Sequence, residues 1–430
     1  MGNLNNSSKN SSKTALHVPE ILLPNPENKD IDLKYWSVIA CDQYTSDKAY
    51  WEKIEKMTAN KLSAMHLIIP EAFLSKSDED SINREIDEKN SKMQSYLDKG
   101  ILKSEGNCFV MVDRKTPYEK SRKGLVVALD LEEFELTDNV ERTESKSLIR
   151  ASEGIIKERL PARIKLREKA ALEMPHIIVL IDDPKKTVIE PLFKQTPDLE
   201  KLYDFKLMEK SGRLKGYKIS KKQIIGKIEK SLAALKQKNG FIYAIGDGNH
   251  SFAAAKMHWE MLKSNGAEMN HPARYLLVEL MNIHDSGIKF YPIHRVVFNT
   301  ELKELLDKMD VFFKKKGTKI ILDEKNPKGQ KITILSGKKR LSLSLKNSEF
   351  IIESFQNFLD SFSDKDIDYI HEEKKVRELA KKGNIGFLLP PIKKAEFFKI
   401  IRKQGMLPKK SFSIGHSDEK RFYLECRKIR

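Results

Sequence analysis

FIYAIGDGNHSFAAAKMHW, residues 241–259, is the stretch from which the rest of the chain can be read. Phe241–Ile245 is a short apolar run, rich in aromatic and branched residues, which predicts a buried strand. Gly246-Asp247-Gly248 interrupts it with glycines able to adopt positive φ. From Asn249 onward, Phe252, Ala255, Trp259 and Leu262 recur at helical spacing, with Asn249 or Ser251 as the N-cap. A strand, a tight polar loop and a helix aim backbone N–H groups and a helix dipole at one point, which suits an anion such as phosphate. Asp247 and His250 flank that point. An ordinary strand-to-helix turn has the same spacing.

With 430 residues, the chain is long enough for about two or three folding units. Hydrophobic residues make up 40% and charged residues 33%, a soluble globular composition, and no apolar run approaches the roughly 18–20 residues of a membrane-spanning helix. The N-terminus lacks the basic-then-apolar layout of a signal peptide, and Asn6 stands where a myristoylation pattern needs Ser or Thr. Cys41, Cys108 and Cys426 are odd in number and widely spaced, arguing for a reducing compartment and against zinc. A cytoplasmic location is expected. The net charge of +17 raises nucleic acid as a partner, but only 17 of the 79 basic residues are Arg. They are also dispersed, so the reading is a Lys-rich surface that draws in an anionic substrate, with neither nucleic acid nor membrane as partner.

Residues 1–15 are low-complexity Asn, Ser and Lys, expected to be a disordered tail. Trp36–Ala40 reads as a strand. Its following loop ends at an N-cap Ser46 before a helix, and Asp42 and Tyr44 in that loop could touch a ligand. Arg150, Arg159, Arg163 and Arg167 gather in one segment. The last three fall at four-residue intervals, either as an anion-binding helical face or as a solvated one, with Pro161 marking a helix start or break. Glu153 lies beside Arg150 and has the chemistry of a general base. His176–Ile181 predicts a central strand, and Asp182-Asp183 after it either holds a cation or makes a turn. Ala273–Met281 and Ile288–Phe298 predict strands joined in a hairpin by His284-Asp-Ser-Gly287, the second carrying adjacent His294 and Arg295. Beyond Thr300 the composition turns Lys-rich, so 16–300 is expected to be one domain and 301–430 a second, closing over its cleft.

Taken in order, ACDQYTS (40–46), SLIRASEG (147–154), PHIIVLIDDP (175–184), GDGNHSFAAAK (246–256), NIHDSG (282–287), PIHR (292–295), IDYIH (367–371) and LPKKSF (407–412) resemble a large domain-of-unknown-function family. Its commoner members carry Asp-Gly-His-His-Arg at the central loop, and it is similar to the ParB/sulfiredoxin superfamily and the free serine kinases within it. The resemblance implies an α+β fold, with a mixed-sheet ParB/sulfiredoxin-like catalytic core and a smaller C-terminal α+β domain. It implies phosphoryl transfer to the hydroxyl of free L-serine, feeding cysteine and serine metabolism. Glu153 would be the general base. Asp247 would hold Mg²⁺ or orient the nucleophile. Gly248, Asn249, His250 and Ser251 would cradle the donor, with Arg150, Arg163, His294 and Arg295 neutralising charge. Asn249 and Ser251 stand where His and Arg are usual, a variation similar to the branch that uses pyrophosphate. An ADP- or ATP-dependent serine kinase and a ParB-like nucleic-acid-binding protein are the alternatives. Oligomeric state is not readable from the sequence.

Overall fold

The computed structural model describes residues 14–74, 78–136, 146–155, 160–323, 330–346, 350–362 and 366–430. The chain divides into two compact units, the residues up to Ile288 together with Ser417–Arg430, and Lys289–His416. This is an α+β architecture with a large mixed sheet in the first unit and a second sheet in the other. Compared with the expected boundary at residue 300, the break falls twelve residues earlier and the last segment returns to the first unit. Composition does not signal that return. Phe422, Tyr423, Leu424 and Cys426 fill the same core as Trp36, Trp51 and Val110. Residues 1–13 lie outside the described residues, but Thr14 and Ala15, expected in the tail, are buried, and Tyr243 Oη donates to the Thr14 carbonyl at 2.6 Å.

Among the described residues, nine strands form the sheet of the first unit: β1 (Leu16–His17), β2 (Phe109–Lys115), β3 (Arg122–Asp130), β4 (Ile149–Ala151), β5 (Ile178–Ile181), β6 (Lys201–Lys206), β7 (Arg213–Ile219), β8 (Tyr243–Asp247) and β9 (Tyr275–Asn282). Their order is β4-β8-β5-β9-β3-β2-β7-β6, with β1 added to β3. The pairs β4–β8 and β5–β9 are parallel and the others antiparallel. The central strands are continuous apolar runs because both faces are covered, which is why VVAL and IVLI read as strands without alternation. The longer helices are α1 (Lys48–Thr58), α2 (Glu79–Asp98), α3 (Leu160–Glu168), α4 (Lys222–Asn239) and α5 (Asn249–Ser264).

Three expectations give way here. Trp36–Ala40 is not a strand: a short helix, Leu33–Trp36, precedes a single bridge from Ile39 to Phe422, because the partner backbone is the returning segment rather than a sheet neighbour. The cap of α1 is Asp47, accepting from Tyr50 N, and not Ser46. Likewise, His284–Gly287 makes no hairpin. Both sides of β9 are already taken by β3 and β5, and the chain instead passes into the second unit.

That unit holds β10 (His294–Val297), β11 (Lys319–Asp323), β12 (Ile332–Ser336), β13 (Lys339–Lys346), β14 (Ile367–Ile370) and β15 (Ile385–Leu388), ordered β11-β13-β12-β15-β10-β14. Val296 and Leu335 pack with Val376 and Ala380 of the helix Glu373–Lys381. Among the described residues of both units, no helix is long and apolar enough to cross a membrane.

Buried arginines fasten residues 417–430 to the first unit. Arg114 donates to the carbonyls of Asp418 and Glu419 at 2.9 and 2.7 Å, and Arg122 to Glu419 O at 2.8 Å. Arg421 pairs with both Glu279 and Glu425, and its Nε donates to Pro175 O at 3.0 Å. Gly124 makes room for this: a Cβ there would stand 2.1 Å from Glu279 Oε1. An arginine bridging two buried carboxylates is costly to desolvate, and removing it strands both. We therefore expect Arg421→Met to lower unfolding free energy by about 3–5 kcal/mol in urea titration. Adding Glu279→Gln and Glu425→Gln should recover part of that loss.

Candidate active site

The expected loop at Gly246 is still strand: β8 continues through a register shift after Ile245 to Asp247, and the chain leaves the sheet at Gly248. Gly248 has φ of +82°, and a Cβ on it would meet Ile177 Cγ1 at 3.0 Å and Cα at 3.3 Å, so both conformation and space require glycine. The expected caps of α5 are not used. Gly248 itself is the N-cap and no side chain closes the helix end, which leaves the first-turn N–H groups pointing outward as an anion-binding helix start does.

Asn249 is instead turned sideways. Its Oδ1 accepts from Ser152 N at 3.1 Å and its Nδ2 donates to Ser152 Oγ at 3.3 Å. Strand β4 runs parallel to β8, with Ala151 opposite Ile245. The two strands therefore end in Ser152-Glu153 and Asp247-Gly248 at the same sheet edge, and Asn249 ties the two exits together. Strand β5 is antiparallel to β8, with Ile178 opposite Asp247, so the residues before it, Pro175 and His176, come to that edge as well.

Polar groups from four segments meet there. His176 Nε2 is 2.9 Å from Ser251 Oγ, and its Nδ1 is 3.2 Å from Tyr423 Oη, which donates to Cys41 Sγ at 3.1 Å. Lys420 Nζ lies 2.8 Å from Asp247 Oδ2, while Asp247 Oδ1 accepts from Gly248 N at 3.0 Å. Burial lowers the pKa of His176 and Arg163 adds to that, outweighing Asp42 and Asp247 and favouring the neutral ring. Burial opposes ionisation of Asp42, but the Gln43 hydrogen bond, Lys420 and Arg163 favour its charge, and it is held below the usual carboxylate range. Burial pushes the Cys41 thiol up to about 11, so it is protonated at neutral pH.

Asp247, Gly248, Asn249 and Ser251 are thus brought to one edge with Glu153, and His250 occupies the first turn of α5. Arg150 sits on β4 opposite Ala244, buried, with its guanidinium 4.7 Å from the Phe241 ring. Arg163 pairs with Glu71, and Arg167 with Glu173 at 2.5 Å; Arg159 lies outside the described residues. Leu160 opens α3, in line with Pro161 as a helix start. A cavity of about 180 Å³, walled by Leu67, Ile69, Ile86 and Leu166, reaches Arg163, His176 and Ser251.

His294 and Arg295 belong to the second unit, where both are buried. Arg295 donates to Gln356 Oε1 at 3.0 Å and Ile293 O at 2.7 Å and lies over the Tyr369 ring. His294 Nδ1 accepts from Leu389 N at 3.1 Å, and burial lowers its pKa to about 4. These are contacts of a core. Asp183 caps a turn through Thr187 N and Val188 N, and Asp182 holds His284 at 2.7 Å. Both follow the far end of β5, away from Asp247.

A magnesium ion held at Asp247 by protein groups alone does not fit these contacts. Both carboxylate oxygens are engaged, and among the described residues no three His, Cys, Asp or Glu side chains converge as a metal-binding group. Sequence reasoning missed His176, Tyr423 and Lys420. A histidine just before an apolar strand is a faint signal; a lysine in a Lys-rich chain is none.

Comparison with known proteins adds the following. No curated protein matches the chain. A free serine kinase in complex with AMP is similar at 13% identity and a TM-score of 0.39, over 69% of this chain and 90% of that one. A conserved hypothetical protein from Pyrococcus furiosus is similar at 12% identity and a TM-score of 0.38, over 70% of this chain and 94% of that one. SbnI with a C-terminal truncation, from Staphylococcus aureus, is similar at 11% identity and a TM-score of 0.38, over 67% and 82%. These are distant likenesses. Residues 24–362 match the family described as "Protein of unknown function (DUF1015)", and across that span, most of its length, the chain belongs to this family.

Proposed function

We propose that this protein transfers a phosphoryl group from pyrophosphate to the hydroxyl of free L-serine, giving O-phosphoserine and phosphate. The observation that carries the reading is the Ser152–Asn249 tie. It brings the exit of β4, with Glu153, to the uncapped start of α5 on one sheet edge. Phosphoryl transfer asks a protein mainly for positioning and for stabilisation of charge. In this reading the α5 N–H groups hold the donor oxygens, and Glu153 takes the serine hydroxyl proton as the oxygen attacks phosphorus. One O–P bond forms as the bridging P–O bond of pyrophosphate breaks, and phosphate departs with the electron pair. Glu153 then returns its proton to solvent or to the departing phosphate. With phosphoserine and phosphate bound, the same groups serve the reverse direction.

A second reading, a nucleotide as donor, is favoured by one feature. The cavity of about 180 Å³ opens on Ser251 and Ala254 of α5 and is largely apolar, a surface that pyrophosphate does not need and a heterocyclic base would use.

Incubation with serine, Mg²⁺ and pyrophosphate should yield phosphoserine by ³¹P NMR, and parallel tubes with ADP or ATP separate the two readings. If none of the three donors gives phosphoserine, the proposal fails. Glu153→Gln should lower turnover by about 100-fold or more, in keeping with the loss of a general base, with donor affinity changed less than twofold. A fully active variant would remove Glu153 from that role. Asn249→Ala leaves a buried backbone N–H unpaired, at a cost of about 1–3 kcal/mol. It should reduce turnover while the far-UV circular dichroism of α5 and the rest of the fold persists.

A further inference from the structure

Asp247 is expected from the sequence to hold Mg²⁺ or to orient the nucleophile, and its surroundings describe another arrangement. Magnesium takes near-octahedral oxygen ligands at about 2.0–2.1 Å and needs a carboxylate oxygen turned toward it. Here Oδ1 accepts from Gly248 N at 3.0 Å and Oδ2 from Lys420 Nζ at 2.8 Å. Lys420 is not a surface lysine. Its side chain is 6% exposed. Arg114 donates to the backbone carbonyls of Asp418, Glu419 and Lys420 itself, and Arg122 to that of Glu419. Asp42, on a separate loop, lies within electrostatic reach of the same ammonium. An ion pair this buried contributes little net stability, since desolvation offsets the attraction. A cation fixed beside the start of a helix does suit an incoming anion.

Resting on the phosphoryl-transfer reading, we propose that Lys420 is the protein's own cation at the donor site. It holds Asp247 in place and contacts the donor's phosphate oxygens where a carboxylate-bound metal is expected. Magnesium, on this view, arrives only as the complex carried by pyrophosphate. A lysine supplies a compact charge with three donors, so one hydrogen can serve Asp247 while another serves phosphate.

Two measurements on the full chain test this, neither of which requires serine. Manganese titration followed by EPR should reveal no site in the free protein that Asp247→Asn removes. Calorimetry with pyrophosphate in EDTA should show affinity reduced about 10-fold or more in Lys420→Met, the loss of one charge-assisted hydrogen bond, and largely restored in Lys420→Arg. Lys420→Gln serves if the methionine variant does not fold, judged by circular dichroism. A manganese site abolished by Asp247→Asn overturns the assignment, as does a folded Lys420→Met or Lys420→Gln protein that binds pyrophosphate like the wild type. Failure to make phosphoserine alongside the expected lysine pattern sinks the serine reading alone. Phosphoserine formed without that pattern sinks only the role of Lys420.

Discussion

The contact on which the first unit depends is the guanidinium of Arg421 held between Glu279 of the central sheet and Glu425 of its own segment. Buried ion pairs add little stability, but they are specific, because any other register leaves charges without partners. Arg114 and Arg122 supply a second specificity by donating to main-chain carbonyls, which fixes a segment without a strand ladder to do so. Together they hold a segment of irregular backbone against a sheet that already has all its strands. Everything this segment carries into the candidate site, Lys420 and Tyr423 above all, is placed by that grip. The absence of a side chain on Gly124 belongs to the same device, since the carboxylate of Glu279 lies in the space a Cβ would fill.

The sheet edge shows how local geometry becomes chemistry. Two neighbouring parallel strands necessarily release their chains on the same side, so a loop from each can be joined by one side chain. Asn249 does this at the first turn of α5, where a residue of its type commonly caps the helix instead. Because it reaches across to Ser152, no side chain caps the helix start, and its dipole and N–H groups suit an anion. His176, kept neutral by burial, adds a polar contact without adding charge. The cation at the loop is Lys420, while Arg163 on the flank is compensated by its pair with Glu71.

Much of this was legible in the residues alone. The strand–loop–helix of 241–259 and the strand of 176–181 stand out by apolar runs and glycine, and the structure places them side by side. What could not be read is the pairing of distant segments. Nothing in Ile367–Arg430 announces that the last part of it returns to the first core, because Phe422 and Leu424 have the same apolar character as residues that stay in the second unit. Trp36–Ala40 has strand composition, but its neighbour is an irregular segment and it forms one bridge. His294 and Arg295 illustrate the opposite difficulty: polar residues that suggest a site are here satisfied inside a core by Gln356 and Leu389. Asp47 displaced Ser46 as a cap by one position, a difference that turn geometry decides and composition does not.

The second unit is inserted between Ile288 and Ser417, so both of its ends are continuous with the first. During synthesis, β8, α5 and Glu153 are made well before Lys420. The loop around Asp247 must therefore wait through more than a hundred residues of unrelated chain for its lysine. A chain cut short within the insertion carries the residues of the first unit's sheet but lacks both Lys420 and the apolar side chains that complete its core.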